Sequence, residues 1–167
     1  MASVTASPLR LRVPANLVSA RAKRYWAARA LVGWVVIVGV ELLIGLTSWS
    51  GALTTAVVAP TALLAAAHIA VMPRWRYRVH RWEATAEAVY TQAGWLSQER
   101  RVAPIARIQT VDTQRGPFEQ AFGLSNVTVT TASAAGPLRI RGLDRSVADR
   151  LVEELTARTS GEDGDGT

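Results

Sequence analysis

The sequence predicts an α-helical membrane hairpin followed by a small α+β domain, a strongly bent antiparallel β-sheet or barrel capped by a C-terminal helix. Three observations carry that expectation. Two long apolar runs lie between Ala30 and Met72, and Glu41 is the only formal charge from Ala30 to Pro73. Arginine-rich segments flank the pair on both sides. Beyond Pro73 the pattern changes to short period-two segments and closes on one amphipathic helical stretch.

Each run is long enough to cross a hydrocarbon core of about 30 Å. The expected spans are about 27–48 and 52–72, preceded by a basic segment, 1–26. Ser48-Trp49-Ser50-Gly51 leaves only a tight connection, so the helices must be antiparallel neighbours. Arg21, Lys23, Arg24 and Arg29 precede the first span, Arg74, Arg76, Arg78 and Arg81 follow the second, and the connection has no basic residue. Basic residues near span ends are retained on the inner side, so both termini are expected in the cytoplasm of a multi-pass plasma-membrane protein. Tyr25, Trp26, Trp49, Trp75 and Tyr77 fall where interfacial aromatic anchors are expected. A cleaved signal peptide is disfavoured by the length of the first run and by the second run that follows at once. A buried soluble hairpin would need polar faces that neither run offers.

Glu41 and His68 are the ionisable groups inside the spans, where such residues are functional candidates by default. At about 1.5 Å per residue, Glu41 lies roughly 20 Å and His68 roughly 6 Å from the cytoplasmic ends, so they do not pair within one hairpin. Opposite Glu41 the second helix offers Pro60 and Thr61, and the proline frees the carbonyl of Ala56. A structural hydrogen bond from Glu41 to that carbonyl or to Thr61 is the plainer reading; a polar contact with a partner membrane protein is the sharper one. Ala62, Ala66 and Ala70 recur every four residues, a spacing that lets a neighbouring backbone approach.

In the domain expected at 74–159, Arg76–His80, Asn126–Thr131 and Leu138–Arg141 alternate as strands, and Val89–Thr91 with Trp95–Val102 reads as a hairpin turning at Ala93-Gly94. Val147, Leu151 and Leu155 recur at helical spacing, with Ser146 and Asp149 as an N-terminal cap and Glu154–Arg158 as a favourable pair. The acidic, glycine-rich residues 160–167 are expected to be disordered.

The net charge of +6 arises from the segments flanking the spans; after Trp82 there are nine basic against twelve acidic groups. A nucleic-acid binder would carry its positive charge on the folded domain, so nucleic acid is not an expected partner. No cysteine is present, and neither a G-x-S-x-G elbow nor a phosphate-cradling G-x-x-x-x-G-K-[ST] occurs. His80 and Glu83 are too few for a metal site. No catalysis and no cofactor are expected. His80 reads as a solvated strand residue among arginines. The positive signal is Arg74, Trp75, Arg76, Arg78, Arg81 and Trp82, a cluster placed just inside an anionic leaflet. Such arginines contribute about 1 kcal/mol each near the surface; the plainer reading is that they only fix topology, and the sharper one is a candidate site for anionic lipid headgroups between the domain and the bilayer.

From Tyr77 to Leu155 the chain resembles the bacterial pleckstrin-homology-like (PH-like) domain of the YdbS-like membrane protein family. The matching residues are Tyr77 and Val79, Tyr90 with Gly94, Pro104-Ile105, Ile108-Gln109 and Gln114-Arg115-Gly116-Pro117. They continue with Phe122-Gly123-Leu124, Thr130-Thr131-Ala132-Ser133, Ile140 and Gly142-Leu143. One departure is Ala86-Glu87, where the family often carries an acidic pair. The resemblance implies a seven-stranded bent sheet closed by the final helix, and a bacterial membrane setting beside a larger membrane protein with repeated copies of the domain. The expected function is a membrane-anchored interaction module for a partner protein or anionic lipid, with oligomers possible. An accessory subunit of a transport, export or toxic-compound resistance assembly is the alternative.

Overall fold

The computed structural model describes residues 13–133 and 136–162. Arg10, Arg12 and the last five residues of the acidic tail therefore lie outside the described residues. Among the described residues two helices, α1 (Ala22–Ser48) and α2 (Gly51–Val79), are long and apolar enough to cross a membrane. They run antiparallel through a connection reduced to Trp49-Ser50, where the Ser50 hydroxyl accepts the Leu53 N–H at 3.3 Å and caps α2. On α1, residues 34, 38, 41 and 45 are withdrawn from the surface; on α2, residues 54, 58, 61, 65, 68 and 72 are. Alternate steps of three and four give the seam of a closely packed pair. The helices approach closely at Gly45, where a Cβ would stand 2.5 Å from the Thr54 methyl. Ala65 supplies the other small contact, whereas Ala62, Ala66 and Ala70 are left uncovered by α1.

Both helices overrun the expected spans at the ends away from the Trp49-Ser50 connection. Arg76–His80, expected as a strand, instead continues α2 to Val79, with Pro73 inside the helix. The strand alternation was real but short, and an established helix propagates more cheaply than a new strand nucleates. His80 terminates it, its backbone N–H bonding to the Arg76 carbonyl at 3.0 Å.

The domain has two antiparallel sheets. The first has the order β1 (Asn16–Leu17), β2 (Arg81–Ala84), β3 (Ala88–Gly94), β4 (Gln98–Pro104); the second has β5 (Ile108–Gln114), β6 (Leu124–Thr131), β7 (Leu138–Asp144). That makes seven strands among the described residues, but the set differs from the expected one. Its first member comes from before the membrane hairpin: Asn16 pairs with Trp82 and Leu17 with Arg81. The basic segment 1–26 thus contributes a strand and the first turn of α1. A short helix, α3 (Pro117–Ala121), precedes β6, and α4 (Arg145–Glu162) closes the fold. α4 begins directly after β7, so Ser146 lies inside its first turn instead of capping it. The Glu154–Arg158 pair forms, at 2.5 Å.

The hydrophobic stripe Ala148, Leu151 and Leu155 of α4 is buried against Val89, Ile105, Val127, Val129, Leu138 and Ile140. A second core joins the domain to the hairpin: Val18, Ala22, Tyr25, Trp26, Met72 and Leu124, with Trp82 packed against both cores. Tyr25 and Trp26 are therefore buried, at 7% and 3% exposure, and do not act as lipid-facing anchors. The junction is tight at Gly142, whose φ is +78° and where a Cβ would lie 3.1 Å from the Ala22 Cβ. Replacing Gly142 by valine adds backbone strain to overpacking and is expected to cost about 2–4 kcal/mol. Unfolding of the detergent-solubilised chain measures it, with Gly33→Val, in open space on α1, expected to stay within about 0.5 kcal/mol of the parent.

Candidate functional site

The helical course of residues 74–79 divides the predicted basic cluster between two faces. Arg74 and Arg78, one turn apart, border a groove of about 830 Å³ between the helix ends, with Lys23, Arg24, Ala66 and Tyr77. The Arg74 guanidinium also donates to the Ala70 carbonyl. Arg76 points the other way, towards the domain, with its guanidinium 4.7 Å above the Trp26 ring. Trp75 is 48% exposed, and its indole N–H donates to the Trp95 carbonyl at 3.1 Å. Trp82 is taken up by the cores and Arg81 opens β2 beside Arg76.

Arg76 and Arg81 line a cleft of about 610 Å³ between the β3–β4 hairpin and β7, together with Arg101, Arg139 and Arg141. Glu99 is the one carboxylate among the lining residues, and it pairs with Arg101 at 3.6 Å. Arg101 has a structural task as well, donating to the carbonyls of Gly136 and Pro137 at 2.7 and 2.6 Å. Arg139 and Arg141 have no carboxylate partner among the described residues and stand exposed, because Leu138 and Ile140 take the inward positions of β7. Like charges gathered in one concavity leave a potential that an anion relieves. The sequence pointed to Arg76 and Arg81 through the linear cluster. It missed Arg101, Arg139 and Arg141, which come from strands far apart in the chain; alternation along Leu138–Arg141 was the available signal.

His80 floors this cleft. It is buried, at 4% exposure, and not the solvated strand residue expected. Its ring lies 5.0 Å from that of Trp26 and its Nδ1 is 2.8 Å from the Arg76 carbonyl. A carbonyl only accepts, so the proton sits on Nδ1 and Nε2 is a lone-pair acceptor. Burial, opposed by that hydrogen bond and aided by Arg76 and Arg141, pushes its pKa down to about 4.

A polar chain links the hairpin to the domain beside the cleft. The Tyr25 hydroxyl donates to Glu119 at 2.7 Å and accepts from Arg29 at 3.0 Å; Asn126 donates to Glu119 at 3.4 Å and accepts from the Gly142 N–H at 3.0 Å. Burial raises the Glu119 pKa, but the hydrogen bonds from Tyr25, its own backbone and Asn126 outweigh it and hold the carboxyl below its ordinary range. Ser19 adds a bond to Asp144 at 2.8 Å.

Inside the hairpin, Glu41 and His68 lie on different levels, as depth counting requires. The Thr61 hydroxyl donates to Glu41 Oε1 at 3.0 Å, whereas Oε2 is enclosed without a partner. His68 Nδ1 accepts the Trp34 indole N–H at 3.0 Å, and the ring of Trp95 stands 5.5 Å from the imidazole. Among the described residues, no three His, Asp or Glu side chains converge to hold a metal ion.

Two apolar helices whose bases are built into a seven-stranded, helix-capped domain define a membrane-anchored PH-like protein. Residues 28–159 match the family model described as "Bacterial PH domain", and the chain belongs to that family. It is similar to the UPF0699 transmembrane protein YdbS of Bacillus subtilis (strain 168), with 30% identity over 95 residues. The match covers 56% of this chain and 58% of YdbS, so the chain spans somewhat more than half the length of that relative. No solved structure matches the chain.

Two measurements bear on these groups. Because folding lowers the His80 pKa from about 6.5 to about 4, its contribution is complete above pH 6.5 and is lost as pH falls from there to 4. Unfolding followed over that window is expected to show a loss of about 3 kcal/mol that His80→Phe abolishes. In the hairpin, Thr61→Val is expected to cost about 0.6 kcal/mol in bicelles, with Glu41→Gln keeping the bond.

Proposed function

We propose that this protein is a two-span, multi-pass anchor with both termini in the cytoplasm, whose PH-like domain holds anionic lipid headgroups in the arginine-lined cleft and performs no catalysis. The pairing of β1 with β2 supports the topology, since it ties the two ends of the hairpin to one sheet on one side of the bilayer. Arginine bias makes that side the cytoplasm.

The observation that carries the ligand class is the position of the cleft. Its rim includes Gly94, Trp95 and Ser97, and Trp95 rests on His68, inside the second span. The cleft therefore opens at headgroup depth, where phosphates are the abundant anions. Arg139 and Arg141 supply charge without a competing carboxylate partner, Arg76 and Arg81 supply it from the anchor side, and neutral His80 contributes an acceptor for a headgroup hydroxyl. A guanidinium suits a phosphate through paired N–H donors.

In nanodiscs of equal phosphatidylglycerol and phosphatidylcholine, native mass spectrometry of the released full-length chain is expected to show retained phosphatidylglycerol. The double variant Arg139→Ser/Arg141→Ser removes about 2 kcal/mol of attraction and is expected to weaken retention roughly thirtyfold. Arg150→Ser, on the exposed face of α4, serves as the neutral reference. Equal retention of the two lipids by the parent chain would overturn the assignment.

A further inference from the structure

Beyond headgroup binding, the geometry points to a third membrane-contacting element: we propose that the tip of the β3–β4 hairpin enters the bilayer and seats Leu96 among the acyl chains beside α2. The inference rests on the same reading of α1 and α2 as spans.

Level is the first argument. His68 belongs to the charge-free run 52–72 and precedes Pro73 by five residues, which places it roughly 7.5 Å up the helix axis from that proline. The Trp95 ring meets the His68 ring edge-to-face at 5.5 Å, and the Trp75 indole ties the Trp95 carbonyl to α2 at 3.1 Å. Trp34 also donates to His68, at 3.0 Å, and fixes the same level on α1. The tip is thus held against α2 at two points, at His68 within the charge-free run and at Trp75 among the arginines that follow it.

Exposure is the second. Leu96 is 88% exposed, the most exposed large apolar side chain among the described residues, and Trp95 beside it is 38% exposed. Leu63 and Leu64, about one turn beyond His68 on α2, are exposed to 73% and 60%. Leu96 follows Trp95, which seats on His68 of α2, so the occupant that covers it is the lipid already surrounding α2.

Backbone chemistry sets the depth. Irregular backbone is not tolerated facing hydrocarbon unless its polar groups are satisfied. Gly94, at φ +133°, folds the turn so tightly that a Cβ would fall 1.9 Å from the Ser97 carbonyl oxygen, and Gly94 pairs with Gln98 in the ladder. The turn therefore offers two apolar side chains at its tip, and the polar run Gln98-Glu99-Arg100-Arg101 begins at once behind it. That pattern suits entry to the boundary between headgroups and acyl chains and no further.

The chain has no cysteine, so Leu96→Cys provides a unique site for a nitroxide in the full-length protein. In vesicles of phosphatidylcholine and phosphatidylglycerol, collisions with oxygen report hydrocarbon and collisions with a water-soluble nickel chelate report water. Leu63→Cys marks mid-span, and Glu87→Cys, at the opposite end of β3, marks the aqueous face. The Leu96 label is expected to have an oxygen-to-chelate collision ratio at least tenfold above that at Glu87. A ratio equal to that at Glu87, with Leu63 shielded from the chelate, would overturn the insertion while leaving the spans and the cleft intact. A Leu63 label open to the chelate would overturn the spans, and the proposal with them.

Discussion

The two-residue pairing of β1 with β2 is the constraint on which the rest of the molecule depends. The chain leaves the first sheet after Leu17, builds both long helices, and returns to the same sheet at Arg81. The hairpin is therefore a crossover between neighbouring strands instead of an anchor joined by a linker. Its base is held at both ends, and its lower turns become part of the core of the domain. Ala22 can meet Gly142 only because α1 starts within the domain, and His80 can pack against Trp26 only because α2 ends there.

That geometry explains why an apolar pair of helices and a soluble fold share one hydrophobic cluster. In lipid, helix association has no hydrophobic driving force and relies on close packing, which Gly45, Thr54 and Ala65 permit. At the water boundary the force returns, and Tyr25, Trp26, Met72 and Leu124 bury apolar surface together. The polar chain through Arg29, Tyr25, Glu119 and Asn126 adds direction to this contact. Glu119 accepts from Tyr25 of α1 and Asn126 of β6 and so fixes the side on which α3 and β6 sit relative to α1.

The cleft follows from the same arrangement. α2 delivers Arg76, the strand after it delivers Arg81, and β7 presents Arg139 and Arg141 because its alternate residues fill the core. The charges are brought together by structure that is stabilised elsewhere, mainly by the burial of Leu138, Ile140 and the apolar stripe of α4. Repulsion among the arginines is tolerated because the surrounding cores offset it. His80 sits in this field as a neutral ring, its charged form disfavoured by burial and by the same cations that would attract a phosphate.

The amino-acid sequence by itself determined the membrane hairpin, the existence of most strands, the closing helix and the family. Each of these rests on a property local in the chain: an unbroken apolar run, a period of two, a period of 3.6, or residues in a fixed order. The division of Arg74–Trp82 between two faces was not legible, because Tyr77 and Val79 alternate with arginines as a strand would, and only the helix already formed above them overrides that pattern. Tertiary structure alone decided that Tyr25 and Trp26 are core residues, that Asn16-Leu17 completes a sheet some sixty residues distant in the chain, and that Arg139 and Arg141 face Arg76. A sequence records which side chains are apolar or charged. Which of them meet depends on long-range burial competing across the whole fold, and that competition has no periodicity to read.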